Sequence, residues 1–198
     1  TPAPVKKALV DAISIAHTYM TYTESRGLPE LRESIAANLA TKGLHYDAEQ
    51  EILITAGTHQ GLHTALQALV ETGDEVLLID PSWVAYCGMV RLAGAKPVLV
   101  PLTSGRLDEL ALSTAVTSRT RCIILNNPNN PTGTVFTKAE LNALGDIAKK
   151  HNLIVLVDEI YEHFLYDARE HVSIAGLPGM RERTIVINGY SKAYAMTG

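Results

Sequence analysis

An α/β fold, with a doubly wound and mostly parallel sheet carrying helices on both faces, is what three observations predict. From Glu51 onward short apolar runs alternate with amphipathic stretches. Several of those runs are continuously apolar, as strands covered on both faces must be. Each run ends in polar residues or glycine, and the carboxyl ends of parallel strands are where such sheets bind ligands.

The segment from Thr1 to Tyr46 is less regular. Ala8 to Ala16 predicts a short apolar helix. Pro29 stands where a second helix begins, Leu31, Ile35 and Leu39 recur every four residues, and Gly43 ends it. The change of pattern near Tyr46 to Gln50 divides the chain into an N-terminal segment, 1–46, and a larger domain, 47–198.

Glu51–Thr55 (EILIT) then reads as a strand, and Leu62, Ala65, Leu66, Leu69 and Val70 form a helical stripe ending at Gly73. Glu75–Asp80 reads as a strand, Trp83 to Ala93 as a helix, Lys96–Val100 as a strand and Leu107 to Val116 as a helix. Arg121–Asn126 is a strand. Thr137 and Glu140 predict a capping box for a helix with Leu141, Leu144 and Ile147 on its apolar face. Leu153–Asp158 and Thr184–Asn188 complete a set of six strands, and the crossover Glu159 to Arg183 is the least regular.

Composition narrows the function classes. Of 198 residues 46% are hydrophobic and 19% charged, with net charge −4, so no basic excess draws nucleic acid or an anionic membrane. No apolar run reaches the roughly 18 residues of a membrane span, and Thr1–Val10 lacks the apolar centre of a signal peptide. Cys87 and Cys122 are isolated, which fits core filling in a reducing cytoplasm.

Five strand-end loops carry the chemistry. Lys192 follows Thr184–Asn188 among Ser, Ala and Tyr; a desolvated amine there would be nucleophilic, whereas on its own it also reads as a surface lysine. Gly57, Thr58 and His59, opening a helix, offer backbone N–H groups to a phosphate, or form only a turn. His59 and His63 are four apart, but HQGLH has no glutamate and no third ligand, so no metal site is expected. Asp158 ends an apolar strand with Tyr161 three residues on, needing a cationic partner or serving as a helix N-cap. Trp83 either packs in the core or stacks on a ligand. Asn126–Gly133 (NNPNNPTG) holds four asparagines, two prolines and a glycine in eight residues, a constrained path presenting amides. An amine, a carboxylate, a phosphate nest, an amide, a phenol and a flat aromatic together match the needs of pyridoxal 5′-phosphate.

NNPNNPTG, DEIYEH and SKAYAMTG, in this order, together with YTxxxGLPELR near the start, resemble the class I/II aminotransferases of pyridoxal-phosphate fold type I. The resemblance covers essentially the whole chain. It implies a large cofactor domain preceded by an arm and part of a small domain. It also implies a transferase passing the amino group of an L-amino acid to a 2-oxo acid. Lys192 matches the Schiff-base lysine and proton carrier, and Asp158 the acid paired with the pyridine nitrogen. Tyr161 and Asn130 match the donors to the ring oxygen, and Trp83 the stacked aromatic. Gly57, Thr58 and His59 match the phosphate turn, with Ser191 a further phosphate or positioning candidate. Tyr22 matches a tyrosine that reaches the neighbouring subunit's phosphate, which implies a homodimer.

The family's second phosphate arginine, its substrate-carboxylate arginine and one antiparallel strand have no counterpart here, so the chain is expected to be part of a longer enzyme. A carbon–sulfur β-lyase, another enzyme of the same fold, or a non-catalytic cofactor-binding regulatory domain shares the same lysine and aspartate. A dinucleotide-dependent dehydrogenase lacks its glycine fingerprint here.

Overall fold

The apolar runs pair into one sheet because their backbone groups have no water to bond once both faces are covered. In the computed structural model, which describes residues 1–15 and 22–197, the strands are β1 (Glu75–Asp80), β2 (Lys96–Pro101), β3 (Thr120–Asn126), β4 (Ile154–Asp158) and β5 (Thr184–Ile187). All neighbours are parallel and the order is β2-β1-β3-β4-β5. The helices are α1 (Ala3–Ser14), α2 (Pro29–Ala40), α3 (Gly57–Leu69), α4 (Ala85–Leu92), α5 (Glu109–Ala115) and α6 (Lys138–Lys150).

The chain divides into two units, Thr1–Gly57 with Tyr190–Gly198, and Thr58–Gly189. In the second unit the period-two alternation of the strands sorts the core into two layers. Leu77, Ile79, Ile123, Leu125, Val155 and Val157 face Leu112 of α5, Leu141 and Leu144 of α6, and the crossover residues Ile174, Leu177 and Met180. Val76, Leu78, Cys122, Ile124 and Leu156 face Leu62 and Leu66 of α3 and Tyr86, Met89 and Val90 of α4. At roughly 1.5–3 kcal/mol for each large side chain fully buried, these two layers supply the main driving force of the unit. Burial also pushes the Cys122 thiol up to about 12, in keeping with a core-filling role.

Local signals set the helix ends. Thr137 and Glu140 form the predicted capping box of α6, each satisfying the other's backbone N–H. Asp108 caps α5 by accepting from the Ala111 N–H at 2.9 Å. Within the first unit, Arg32 of α2 is buried. Its guanidinium donates to the carbonyls of Gly27, Ala48 and Glu49 and meets Glu24 Oε2 at 2.8 Å. Gly27, at φ +96°, lies where an added Cβ would collide with the Ile54 side chain, so only glycine fits.

Three expectations need correction. Five strands form the sheet among the described residues, not six. Glu51–Thr55 joins no ladder; its Ile54 N–H instead bonds the Arg26 carbonyl at 2.9 Å, within the first unit. The first helix is displaced toward the start of the chain, at Ala3–Ser14, with Pro2 just ahead of it; Ala16 lies outside the described residues. DEIYEH starts no helix: Ile160 to His163 form turns, and the crossover holds only short 3₁₀ turns at Ile174–Gly176 and Arg181–Arg183.

Removing the α6 cap leaves an N–H without its acceptor, so Thr137→Ala should lower stability by about 1 kcal/mol. Thr137→Ser, which keeps the oxygen, should recover most of it. Urea denaturation of the three proteins compares them directly.

Candidate active site

Asp158 is the last residue of β4, two positions after Leu156 and therefore on the same face of the sheet, the one covered by α3 and α4. It is only 3% exposed. Oδ1 accepts from the Ile160 N–H at 3.1 Å, and Oδ2 accepts from the Tyr86 hydroxyl at 2.8 Å. Burial raises the Asp158 pKa above the usual carboxylate range, against the opposing pull of these two donors and of His59. No lysine or arginine of the same unit forms an ion pair with it among the described residues.

An aromatic row stands beside it. His59 of α3 meets Trp83 edge-on, with centroids 4.5 Å apart, and Trp83 meets Tyr86 edge-on at 5.4 Å, both at 89° between planes. Desolvation, then the Asp158 charge, push the Tyr86 phenol far above its ordinary range, so its hydroxyl stays a donor.

The asparagine-rich stretch resolves into two jobs. Asn126, Asn127 and Asn129 are buried and bond backbone: Asn126 Nδ2 donates to the Asp158 carbonyl at 2.9 Å, and Asn127 Oδ1 accepts from the Phe136 N–H at 3.1 Å. Asn129 Oδ1 accepts from the Thr132 N–H at 3.4 Å and from the Thr132 hydroxyl at 3.0 Å. Asn126 Oδ1 also accepts from the Asn130 N–H, at 2.6 Å. Asn130 alone is half-buried, with its Nδ2 3.5 Å from the Tyr161 hydroxyl. Thus an amide donor and a phenol lie together at the exits of β3 and β4.

The exits of β4 and β5 and the start of α3 also converge. A Cβ on Gly189 would lie 3.4 Å from Ile160 Cδ1 and 3.7 Å from Thr58 Cγ2. Six of the expected site residues, Thr58, His59, Trp83, Asn130, Asp158 and Tyr161, therefore belong to this one unit. Gly57, Ser191, Lys192 and Tyr22 belong to the other. There Gly57 has φ +73°, and Ser191 and Lys192 lie in consecutive turns. Lys192 and Tyr22 are exposed; the side chains of this chain do not give Lys192 the desolvation expected from its neighbours.

Sequence reasoning passed over two features. Tyr86 reads as one more member of an apolar helical stripe, because nothing in its spacing shows that its hydroxyl ends on a carboxylate 72 positions away. Glu159, Glu162 and His171 bring one donor atom each within 4.8 Å of one another, with His171 Nε2 3.4 Å from Glu159 Oε2.

The donor set fits a protonated aromatic nitrogen. Asp158 can accept an ion pair in a dry setting with neutral donors on both oxygens, and Asn130 and Tyr161 can donate to an anionic ring oxygen.

The family model for class I and II aminotransferases matches residues 1–198. The aspartate aminotransferase of Pyrococcus abyssi is 44% identical, covering 100% of this chain and 51% of that protein. Aromatic-amino-acid aminotransferase 2 of Thermococcus litoralis is 42% identical, with 100% and 51% covered. The crystal structure of the aromatic aminotransferase from Pyrococcus horikoshii superposes with a TM-score of 0.96 at 44% identity, over 100% of this chain and 53% of that one. The chain spans about half the length of the curated relatives it matches.

A carboxyl whose folded pKa is raised binds its proton more tightly when folded. It contributes stability below the unfolded value, near 3.9, that is lost as pH rises through the raised one. Asp158→Asn should therefore make the cofactor-free protein more stable than wild type at pH 7, the difference vanishing below about pH 4. Urea denaturation across that range measures it, and an unchanged difference at all pH values would contradict the assignment.

Proposed function

The chain belongs to the class I and II aminotransferase family, and from that premise we propose that it works in a pyridoxal 5′-phosphate-dependent aminotransferase that moves the amino group of an L-amino acid to a 2-oxo acid. The observation that carries this reading is the buried Asp158 carboxylate, held by Ile160 and Tyr86 at the end of β4 with Asn130 and Tyr161 at the neighbouring exits. A bound cofactor supplies a conjugated, protonated ring that stabilises negative charge developing on the substrate α-carbon.

The residues of the chain supply the rest. Asp158 would keep the proton on the ring nitrogen, since a buried anion favours the charged form of its partner. Asn130 and Tyr161 would donate to the ring oxygen, and Trp83 would bound the ring. Gly57, Thr58 and His59 offer the N-terminal N–H groups of α3 to the phosphate, with Ser191 as a further donor. Lys192 would be the residue to hold the cofactor aldehyde, and its amine would carry the proton to and from the substrate α-carbon. In this reading its desolvation comes from the bound cofactor and substrate, since the lysine is exposed in the chain.

Tyr22, exposed at the start of the described region after α1, is assigned to the phosphate of a second copy, making the working unit a homodimer. Aspartate and aromatic amino acids, the substrates named for two relatives, are the first donors to test. The two free cysteines fit a cytoplasmic setting. Among the described residues no helix is long and apolar enough to cross a membrane.

A panel of amino donors with 2-oxoglutarate should yield glutamate with at least one donor; release of pyruvate and ammonia in place of glutamate would point to lyase chemistry. Lys192→Ala should lose the visible absorption of bound cofactor and nearly all turnover. Asp158→Ala should cost about 3 kcal/mol or more in kcat/KM, roughly a hundredfold. Near-normal turnover in either variant would overturn the assignment.

A further inference from the structure

We infer that Tyr86 is a positioning residue for the proposed reaction, its hydroxyl fixing the Asp158 carboxylate for the protonated ring nitrogen of the cofactor; this rests on the function proposed above. Tyr86 lies in the first turn of α4, 2% exposed, and reaches Asp158 Oδ2 at 2.8 Å. Its ring cannot swing away. Trp83 abuts it edge-on at 5.4 Å, His59 abuts Trp83 at 4.5 Å, and Met89 and Val90 are buried on the same helix face.

A carboxylate offers about four lone-pair directions. Ile160 takes one on Oδ1 and Tyr86 one on Oδ2, which sets the plane of the group while leaving directions for a cationic N–H. The titratable groups facing this pair come from three elements: His59 on α3, Tyr86 on α4 and Tyr161 in the loop after β4. Of these, only Tyr86 has a hydrogen bond to an Asp158 oxygen among the described residues. Without the hydroxyl, Oδ2 loses its one donor among the described residues, and the carboxyl, held at Oδ1 alone, rotates and takes up a proton more readily. Either change weakens its hold on a ring cation, because hydrogen bonds to a charged group in a dry site are roughly twice as strong as neutral ones.

A purely space-filling tyrosine would predict something else. Tyr86→Phe keeps the ring and its packing, so a core role leaves Asp158 and the cofactor untouched. The experiment compares wild type, Tyr86→Phe, Asp158→Asn and the double variant in the full-length protein.

Three measurements are made: thermal unfolding, titration of the Asp158 carboxyl by isotope-edited infrared in the cofactor-free protein, and the dissociation constant for pyridoxal 5′-phosphate. Tyr86→Phe is expected to stay folded, to move the Asp158 titration to higher pH, and to bind pyridoxal 5′-phosphate about 10- to 100-fold more weakly. In the Asp158→Asn background the same substitution should change affinity by less than about twofold, since the hydroxyl acts through that carboxylate. An unmoved titration together with wild-type affinity in Tyr86→Phe would overturn the inference, and so would equal losses in both backgrounds. Failure of the wild-type protein to bind pyridoxal 5′-phosphate would overturn the proposed function and the cofactor half of the inference. The infrared titration would then still decide whether Tyr86 holds Asp158.

Discussion

Everything at the candidate site depends on the register of β4. Side chains alternate along a strand, so Asp158 shares a face with Leu156 and is opposed to Val155 and Val157. β4 is paired on both sides, Asn126 standing opposite Asp158 on β3 and Ile187 opposite it on β5. A slip of one residue would turn the carboxylate into the layer filled by α5 and α6 and send Leu156 with it. Two flanking ladders and two apolar layers make that slip costly. The same interactions that stabilise the sheet therefore also decide which helices meet the acid.

Those helices are not interchangeable. The layer of α5 and α6 meets the sheet with leucine, isoleucine, methionine and phenylalanine, none of which can donate to a carboxylate. The layer of α3 and α4 brings His59, Trp83 and Tyr86 to the strand ends. A buried carboxylate without donors would take up a proton. The Tyr86 hydroxyl and the Ile160 N–H both oppose that tendency, although burial still holds the Asp158 pKa above its ordinary value. The site thus keeps an acid under electrostatic stress, as expected where a protein retains a charge for use and not for stability.

Much of this was legible in the chain beforehand, and the exceptions have physical reasons. Apolar runs marked the five paired strands, most plainly the central β1, β3 and β4, where burial on both faces leaves a strand little choice of composition. The Thr137–Glu140 box was readable because capping is local. Glu51–Thr55 has the composition of a strand, but its Ile54 bonds Arg26 and so joins the first unit; composition does not name a strand's partner. Asn126–Gly133 stood out for its content, yet only the fold separates three asparagines that tie down backbone from Asn130, which faces Tyr161. Tyr86 was hidden for the opposite reason, since a tyrosine in an amphipathic stripe looks like packing until its hydroxyl is placed. Lys192 was picked out by its uncharged neighbours, but side chains adjacent in sequence do not determine exposure, and the lysine is exposed.

The pair of acids at the end of β4 shows why one of them is suited to an incoming cation. Asp158 and Glu159 are consecutive and both almost wholly buried, at 3% and 2% exposure. Two adjacent anions in a dry setting repel each other unless each is compensated separately. Glu159 extends the ladder through its N–H to the Ile187 carbonyl, and its Oε2 lies 3.4 Å from His171 Nε2, a group that can carry a positive charge. Asp158 receives only neutral donors, a backbone N–H and a phenol, from its own unit. No lysine or arginine of that unit forms an ion pair with Asp158 among the described residues, and His59 pulls on it only through space. A cationic ring nitrogen meeting that carboxylate would gain a full ion pair without first displacing a lysine or arginine of the unit. Glu159 already has an imidazole against it, whereas Asp158 is held within its unit by neutral donors, so of the two neighbouring carboxylates Asp158 is the one better placed to take a cationic partner.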